Sequence, residues 1–260
     1  MKKLFNDNWT FKKIPYQDNY DYDKARTLSG LSLVALPHDW LIYNCENLYE
    51  DGIGVYQKTF EISQVENKHY EIYFEGVYMD SSVYLNGVHL GDWKYGYSSF
   101  YFSMDEAVKK GDNELTVIVR HKAPNSRWYS GAGIYRSVYL IEQDTAYFET
   151  DSFYITPVPK DDVYDLKVEA DILGEISDSY EVAITLTDKS EVISFQSSWA
   201  VADVVENGHI SAMLSNLKVE SWSAETPNLY NIKVDLLLDD ETLDSSRTRI
   251  GFKSVKFDSN

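Results

Sequence analysis

The sequence predicts an all-β protein made of two successive sandwiches. Three observations carry that reading. Apolar residues recur with period two along most of the 260 residues, the pattern of half-buried strands rather than of helices. Aromatic side chains are abundant: 21 Tyr, 11 Phe and 6 Trp make 15% of the chain, and such residues favour the pleated, partly covered surface of a sheet. No strand–helix–strand rhythm, internal repeat or low-complexity tract interrupts the pattern.

The elements follow in order. Val55–Ile62 alternates as a strand. In His69–Gly76, Tyr70, Ile72 and Phe74 share one face while Glu71, Tyr73 and Glu75 share the other, which predicts a strand with one buried side. Val83–Leu90 carries Asn86-Gly87 between alternating apolar flanks. That dipeptide supplies the positive φ angles of a two-residue turn, so the segment reads as a tight hairpin. Phe100–Ser103 is a short strand, Asp105–Lys110 a single turn of helix, and Leu115, Val117 and Val119 mark the next strand. Ser137–Glu142 is the strand before the join, and Phe148–Thr156 reads as a strand just after it.

Beyond residue 145 the texture changes. Strands at Leu166–Ile172, Tyr180–Thr187, Glu191–Gln196, His209–Leu214, Tyr230–Leu238 and Arg247–Phe257 follow with few glycines, at roughly the 8–12-residue spacing of an immunoglobulin-like sandwich. The join falls at Gln143–Tyr147, dividing the chain into 1–145 and 146–260. An exposed linker there would be the first site of limited proteolysis.

Composition narrows the functions. With 24 Lys+Arg against 42 Asp+Glu, the formal charge is −18, which repels phosphate backbones and anionic lipid, so neither nucleic acid nor a membrane surface is an expected partner. No apolar run approaches the roughly 20 residues of a helical span. Cys45 is the only cysteine, so no intrachain disulfide forms, and the N-terminus lacks the apolar stretch of a secretory signal. Both features point to the cytoplasm.

The five histidines, His38, His69, His89, His121 and His209, show no metal-ligand spacing, so no metal and no cofactor is expected in this chain. Gly52-Ile53-Gly54 leads into a strand and lacks the helix that phosphate binding requires. The carboxylates form no recognisable pair, and the residues alone indicate no complete catalytic site.

Two segments break the strand pattern. Ala123–Arg136 is dense in Arg, Trp, Tyr and Gly; Gly131 and Gly133 permit unusual backbone angles, while Arg127 and Trp128 offer a planar donor and a stacking face. The other runs through Leu36–Trp40 and Asn47–Tyr56.

These segments carry a resemblance. LPHDW, DGIGVYQKTF, FEGVYMDSSVYLNGVHLG, GYSSF and NSRWYSGAGIYRSVYL resemble, in order, the signatures of the N-terminal domain of glycoside hydrolase family 2, with wording nearest its β-galactosidases. Trp222–Tyr230 is similar to the WSPETPNLY segment of that family's immunoglobulin-like domain, and Ile250–Phe257 to the strand leading out of it. The resemblance implies a jelly-roll (galactose-binding-like) sandwich followed by an immunoglobulin-like one. In the family a (β/α)₈ barrel with two catalytic glutamates comes next, beyond this sequence, so no catalytic residue is expected here.

The implied role is the non-catalytic front of a retaining exo-glycosidase acting on terminal β-galactosides. Its expected partners are carbohydrate, held weakly by this chain alone, and the barrel of the same polypeptide, in a parent open to homo-oligomerisation. A stand-alone carbohydrate-binding module is the alternative, as is a β-glucuronidase or β-mannosidase parent. Family loops of the first domain reach the barrel mouth. At the matching positions the resemblance implies that Asp51, Asn125, Arg127 and Trp128 contact the sugar, with Asp51 accepting two hydroxyls and Trp128 stacking. His38-Asp39-Trp40 is expected to anchor the loop. Val55 stands where relatives have Trp, implying local repacking, and Ala224 where they have Pro.

Overall fold

The computed structural model describes residues 1–43 and 45–255. It divides into two compact units, Met1–Glu142 and Gln143–Asn260, each with its own core.

The first unit is a jelly-roll sandwich. Its strands are β1 (Lys2–Leu4), β2 (Trp9–Ile14), β3 (Ser32–Val34), β4 (Gly52–Ile62), β5 (His69–Phe74), β6 (Ser81–Leu85), β7 (Val88–Trp93), β8 (Phe100–Ser103), β9 (Gly111–His121) and β10 (Val138–Gln143). One sheet has the order β3-β2-β4-β9-β6-β7 and the other β1-β10-β5-β8. Ile72 and Phe74 of the smaller sheet share a cluster with Tyr56, Leu85, Leu115 and Val117 of the larger one, all fully buried, so large side chains fill the space between the layers.

The outer face of the larger sheet is covered as well. Ile53, Val55 and Ile118 pack under Tyr20 and under Ala25 of a five-residue helix, α1 (Tyr22–Arg26), which starts just after Tyr20 and whose N-terminus is capped by the Asp21 carboxylate on Lys24 N–H at 3.1 Å. Val55 is fully buried there, a valine beneath a helix.

The second unit is an immunoglobulin-like sandwich of β11 (Ala146–Phe148), β12 (Tyr154–Lys160), β13 (Val163–Gly174), β14 (Glu181–Thr187), β15 (Ile193–Ala200), β16 (Val205–Glu206), β17 (His209–Leu217), β18 (Tyr230–Leu238) and β19 (Glu241–Ile250), with a one-turn helix α2 (Val201–Val204). The orders are β11-β13-β17-β16, with β12 also on β13, and β15-β14-β18-β19. Every second residue of β14 and β18, such as Ile184, Leu186, Ile232 and Val234, points into the core.

Several sequence expectations need correction. The strand at 69–74 is buried on both faces, Glu71 included, rather than on one. Asp105–Lys110 is a hydrogen-bonded turn on the Met104 carbonyl and not a helix, because only Ala107 and Val108 return N–H groups to it. Phe148–Thr156 is two strands, split where Ser152 N–H bonds Glu149 O and Asp151 takes a φ of 62°. The last strand ends at Ile250, earlier than 247–257 implied, and residues 256 and 257 lie outside the described ones. The segment 143–148 is no exposed linker. Gln143, Ala146 and Phe148 are buried, and the Asp244 carboxylate accepts from Gln143 Nε2 at 2.8 Å and from Phe148 N–H at 3.0 Å.

Candidate functional site

Four connections gather at one end of the first sandwich: residues 35–51 before β4, 75–80 after β5, 94–99 between β7 and β8, and 122–137 between β9 and β10. Their backbones lie side by side. His38 and Trp40 N–H groups bond to Ile134 and Ala132 carbonyls, and Tyr78 exchanges two hydrogen bonds with Gly133, at 2.9 and 2.7 Å. Gly133 has a φ of 125°, and a Cβ there would lie 2.4 Å from the Tyr56 hydroxyl oxygen. Only glycine lets the chain pass so close.

Asp39 organises this end. One carboxylate oxygen accepts from Leu41 N–H at 3.0 Å and Ala132 N–H at 2.9 Å, and the other accepts from the Tyr129 hydroxyl at 2.5 Å. Burial and then that bond to Asp39 raise the Tyr129 phenol well above its ordinary pKa. His38 is buried with Nδ1 2.8 Å from the Tyr56 hydroxyl, so the His38–Trp40 segment anchors the loop. His121 is fully covered and its Nδ1 lies 3.0 Å from the Glu50 carbonyl, which requires the proton on Nδ1. Burial lowers the pKa of both histidines, against the pull of nearby carboxylates, and keeps both rings neutral at neutral pH.

The residues singled out from sequence fall on two sides of this framework. Asp51 is exposed, and one of its oxygens accepts from Ala123 N–H at 2.6 Å, tying the start of β4 to the end of β9. Its other oxygen has no partner among the described residues. Asn125 accepts from the Tyr78 hydroxyl at 3.1 Å and donates to the Lys122 carbonyl at 3.1 Å, so its amide holds the loop while each atom keeps one further hydrogen-bonding position. Trp128 is 60% exposed, with its indole N–H on the Tyr97 hydroxyl at 3.0 Å. Arg127 is exposed and has no hydrogen-bond or ion-pair partner among the described residues.

Sequence reasoning missed Tyr97 and Tyr95, which extend the aromatic surface around Trp128: Tyr95 and Tyr97 lie 5.8 Å apart and Tyr97 and Tyr78 5.2 Å. The tyrosine content was a signal, but not their placement. On the other side of Asp51 an open cleft of about 870 Å³ is lined by Tyr16, Asn47, Tyr49, Pro124 and the Lys13–Glu50 ion pair. Aromatic faces beside carboxylate and amide groups suit a hydroxyl-rich ligand. Among the described residues no group of His, Cys, Asp and Glu is placed to hold a metal ion.

Comparisons with known proteins agree with this architecture. Residues 32–144 match the model of the glycosyl hydrolases family 2 sugar binding domain, and residues 146–253 match that of glycosyl hydrolases family 2. A Formosa agariphila protein whose name provisionally assigns β-glucuronidase activity is 32% identical over 96% of this chain and 25% of its own length. The β-galactosidase BoGH2A of Bacteroides ovatus is 33% identical over 86% of this chain and 28% of its own. The chain thus spans about a quarter of these curated relatives. A crystal structure of a Bacteroides vulgatus β-glycosidase superposes with a TM-score of 0.81 at 27% identity, over 99% of this chain and 34% of that one.

Proposed function

The chain belongs to glycosyl hydrolases family 2, and on that premise we propose that it is the non-catalytic front of a retaining exo-glycosidase that removes terminal β-galactosides. The loops at one end of its first sandwich form one wall of the substrate site. The Bacteroides ovatus β-galactosidase is among its relatives, and that enzyme is several times longer than this chain. A retaining mechanism needs two carboxyl groups about 5–5.5 Å apart across the scissile bond. We assign that pair to a barrel following this chain.

One observation carries the reading. The loop 122–130 is tied at Asp51 and Tyr78, and beyond those ties it presents the exposed ring of Trp128, oriented by Tyr97, and at the preceding position an exposed Arg127 with no hydrogen-bond or ion-pair partner among the described residues. A fixed aromatic face beside a planar donor fits a sugar ring with its equatorial C–H groups on the indole and its hydroxyls on the guanidinium. Asp51, through its second oxygen, and Asn125 supply further hydroxyl contacts. One wall alone leaves most of the sugar in water, where each hydrogen bond replaces a solvent one and nets only about 0.5–1.5 kcal/mol. Association costs of about 4 kcal/mol or more then hold a monosaccharide to millimolar affinity at best.

The test is kinetic and uses the full-length protein. Trp128→Ala and Arg127→Ala should raise KM for an aryl β-galactoside with a smaller change in kcat. Unchanged kcat/KM in both variants would refute the wall assignment. Arg127 also favours a second reading, since a free guanidinium matches the carboxylate of a uronic acid. An aryl β-glucuronide assayed in parallel decides: a parent specific for glucuronides should lose far more activity in Arg127→Ala than a galactosidase would.

A further inference from the structure

The immunoglobulin-like unit carries a concave face of its own, built wholly from residues of that unit. In the sheet β15-β14-β18-β19, Ile184, Leu186, Ile232 and Val234 point inward, so the alternate residues point out. Strand register sets these in rows. Thr185, Lys233 and Arg247 lie directly opposite one another across three strands, and Thr187, Asn231 and Arg249 form the neighbouring row. Beside the register shift between Leu186 and Thr187, all of these except Arg249 line, with Glu191 and Ile193, a depression of about 350 Å³.

The charges here run against the chain. On a protein of net charge −18, Lys233 and Arg247 are set directly opposite each other, an arrangement that destabilises a sheet, with Arg249 one row along. Two carboxylates face them. Asp235 holds Lys233 Nζ at 2.8 Å, and Glu191 stands at the rim. Arg247 and Arg249 have no acceptor among the described residues. The hydroxyls of Thr185 and Thr187 and the amide of Asn231 add neutral donors. No aromatic ring lines the depression, so it offers no platform for stacking a neutral sugar.

The geometry points to an oxyanion site: Arg247, with Lys233, Thr185, Thr187 and Asn231, binds a carboxylate or sulfate group such as an acidic saccharide bears. A planar guanidinium pairs with either group through two parallel hydrogen bonds, and the bound charge relieves the repulsion between Lys233 and Arg247. This site stands whether or not the parent cleaves β-galactosides, because none of its residues belongs to the first unit.

The test is a titration of the ¹⁵N-labelled 260-residue chain with glucuronate, sulfate, galactose and chloride, the salts at matched ionic strength. Glucuronate or sulfate should give saturable shifts of the Thr185, Thr187 and Asn231 amides and of the Arg247 side chain. Galactose and chloride should not. A response to glucuronate alone identifies a carboxylate site, and a response to sulfate alone a sulfate site. Arg247→Gln should weaken binding about tenfold or more, as loss of a charge-assisted hydrogen bond implies, and raise the urea midpoint of the anion-free protein. Should Arg247→Gln fail to fold, Thr187→Val, which removes one neutral donor and no charge, should still weaken binding a few-fold. Shifts that never saturate, that chloride reproduces, or that survive in the variant would overturn the assignment.

Discussion

Replacing Asp39 tests whether the loop end of the first sandwich is held from within. In Asp39→Ala the N–H groups of Leu41 and Ala132 lose their acceptor, and both residues are almost wholly buried. A buried donor left unsatisfied costs about 1–3 kcal/mol. The Tyr129 hydroxyl is exposed enough to turn to water, so it adds little. For two such donors the expected loss is about 2–6 kcal/mol, a large share of the roughly 5–15 kcal/mol typical of a domain. Asp39→Asn keeps an oxygen for the two N–H groups and an amide facing Tyr129, and should lose only about 1 kcal/mol. Urea unfolding followed by tryptophan fluorescence reads the difference, since Trp40 is the next residue. Hydrogen exchange at Ala132 should accelerate in the alanine variant and much less in the asparagine one. An alanine variant within about 0.5 kcal/mol of wild type, or an asparagine variant as unstable as the alanine one, would refute the reasoning.

Four further outcomes follow from the same structure. Purified chain should show no turnover of an aryl β-galactoside; activity that disappears on substituting one of its own carboxylates would contradict the placement of catalysis elsewhere. Calorimetric titration with galactose should give no better than millimolar affinity, and a micromolar constant lost in Trp128→Ala would favour a self-sufficient binding module. Limited proteolysis should leave 143–148 intact until late and cut first in exposed loops such as 122–130, with early cleavage at the join counting against the burial of Gln143 and Phe148. Burial lowers the pKa of His38 and His121 below the ordinary 6.5, so their contribution to stability is complete above that pH and is lost as pH falls through the lowered values; a urea midpoint that does not fall between pH 7 and about 5, or falls equally in His121→Gln, would sink this.

What could be read from the chain depends on how local its causes are. Asn86-Gly87 is a turn signal complete in two residues, and both have positive φ, at 51° and 89°. Gly131 and Gly133 likewise show the angles their loop needed. The strand Trp9–Ile14 escaped because Lys12 and Lys13 break its apolar alternation, although Trp9 is fully buried. Helix α1 is too short to show a periodicity, and only its Asp21 cap marks it. In β19 the sequence ETLDSSRTRI is mostly polar because its outer face is exposed, so the apolar run further on drew the strand too late. That His38-Asp39-Trp40 anchors its loop was legible in the sequence, but the partners through which Asp39 does so were not. They lie 90 and 93 residues away, and nothing in His38-Asp39-Trp40 itself names Tyr129 or Ala132.

The same non-local bonding decides which substitutions can report on the sugar. Asp51 and Asn125 are both committed to the loop: Asp51 fixes Ala123 by one hydrogen bond, and Asn125 joins Tyr78 to Lys122 by two. Removing either moves the loop as well as any sugar contact, so a loss of activity in those variants has two causes that one measurement does not separate. Arg127 has no such commitment among the described residues. Trp128 gives its N–H to Tyr97 but leaves its ring face free, so Tyr97→Phe releases the indole without removing it. If the ring must be held in one orientation to stack, Tyr97→Phe should raise KM part of the way toward Trp128→Ala, and the two substitutions together should cost no more than Trp128→Ala alone. Additive effects would show that Tyr97 meets the sugar independently of the indole it orients.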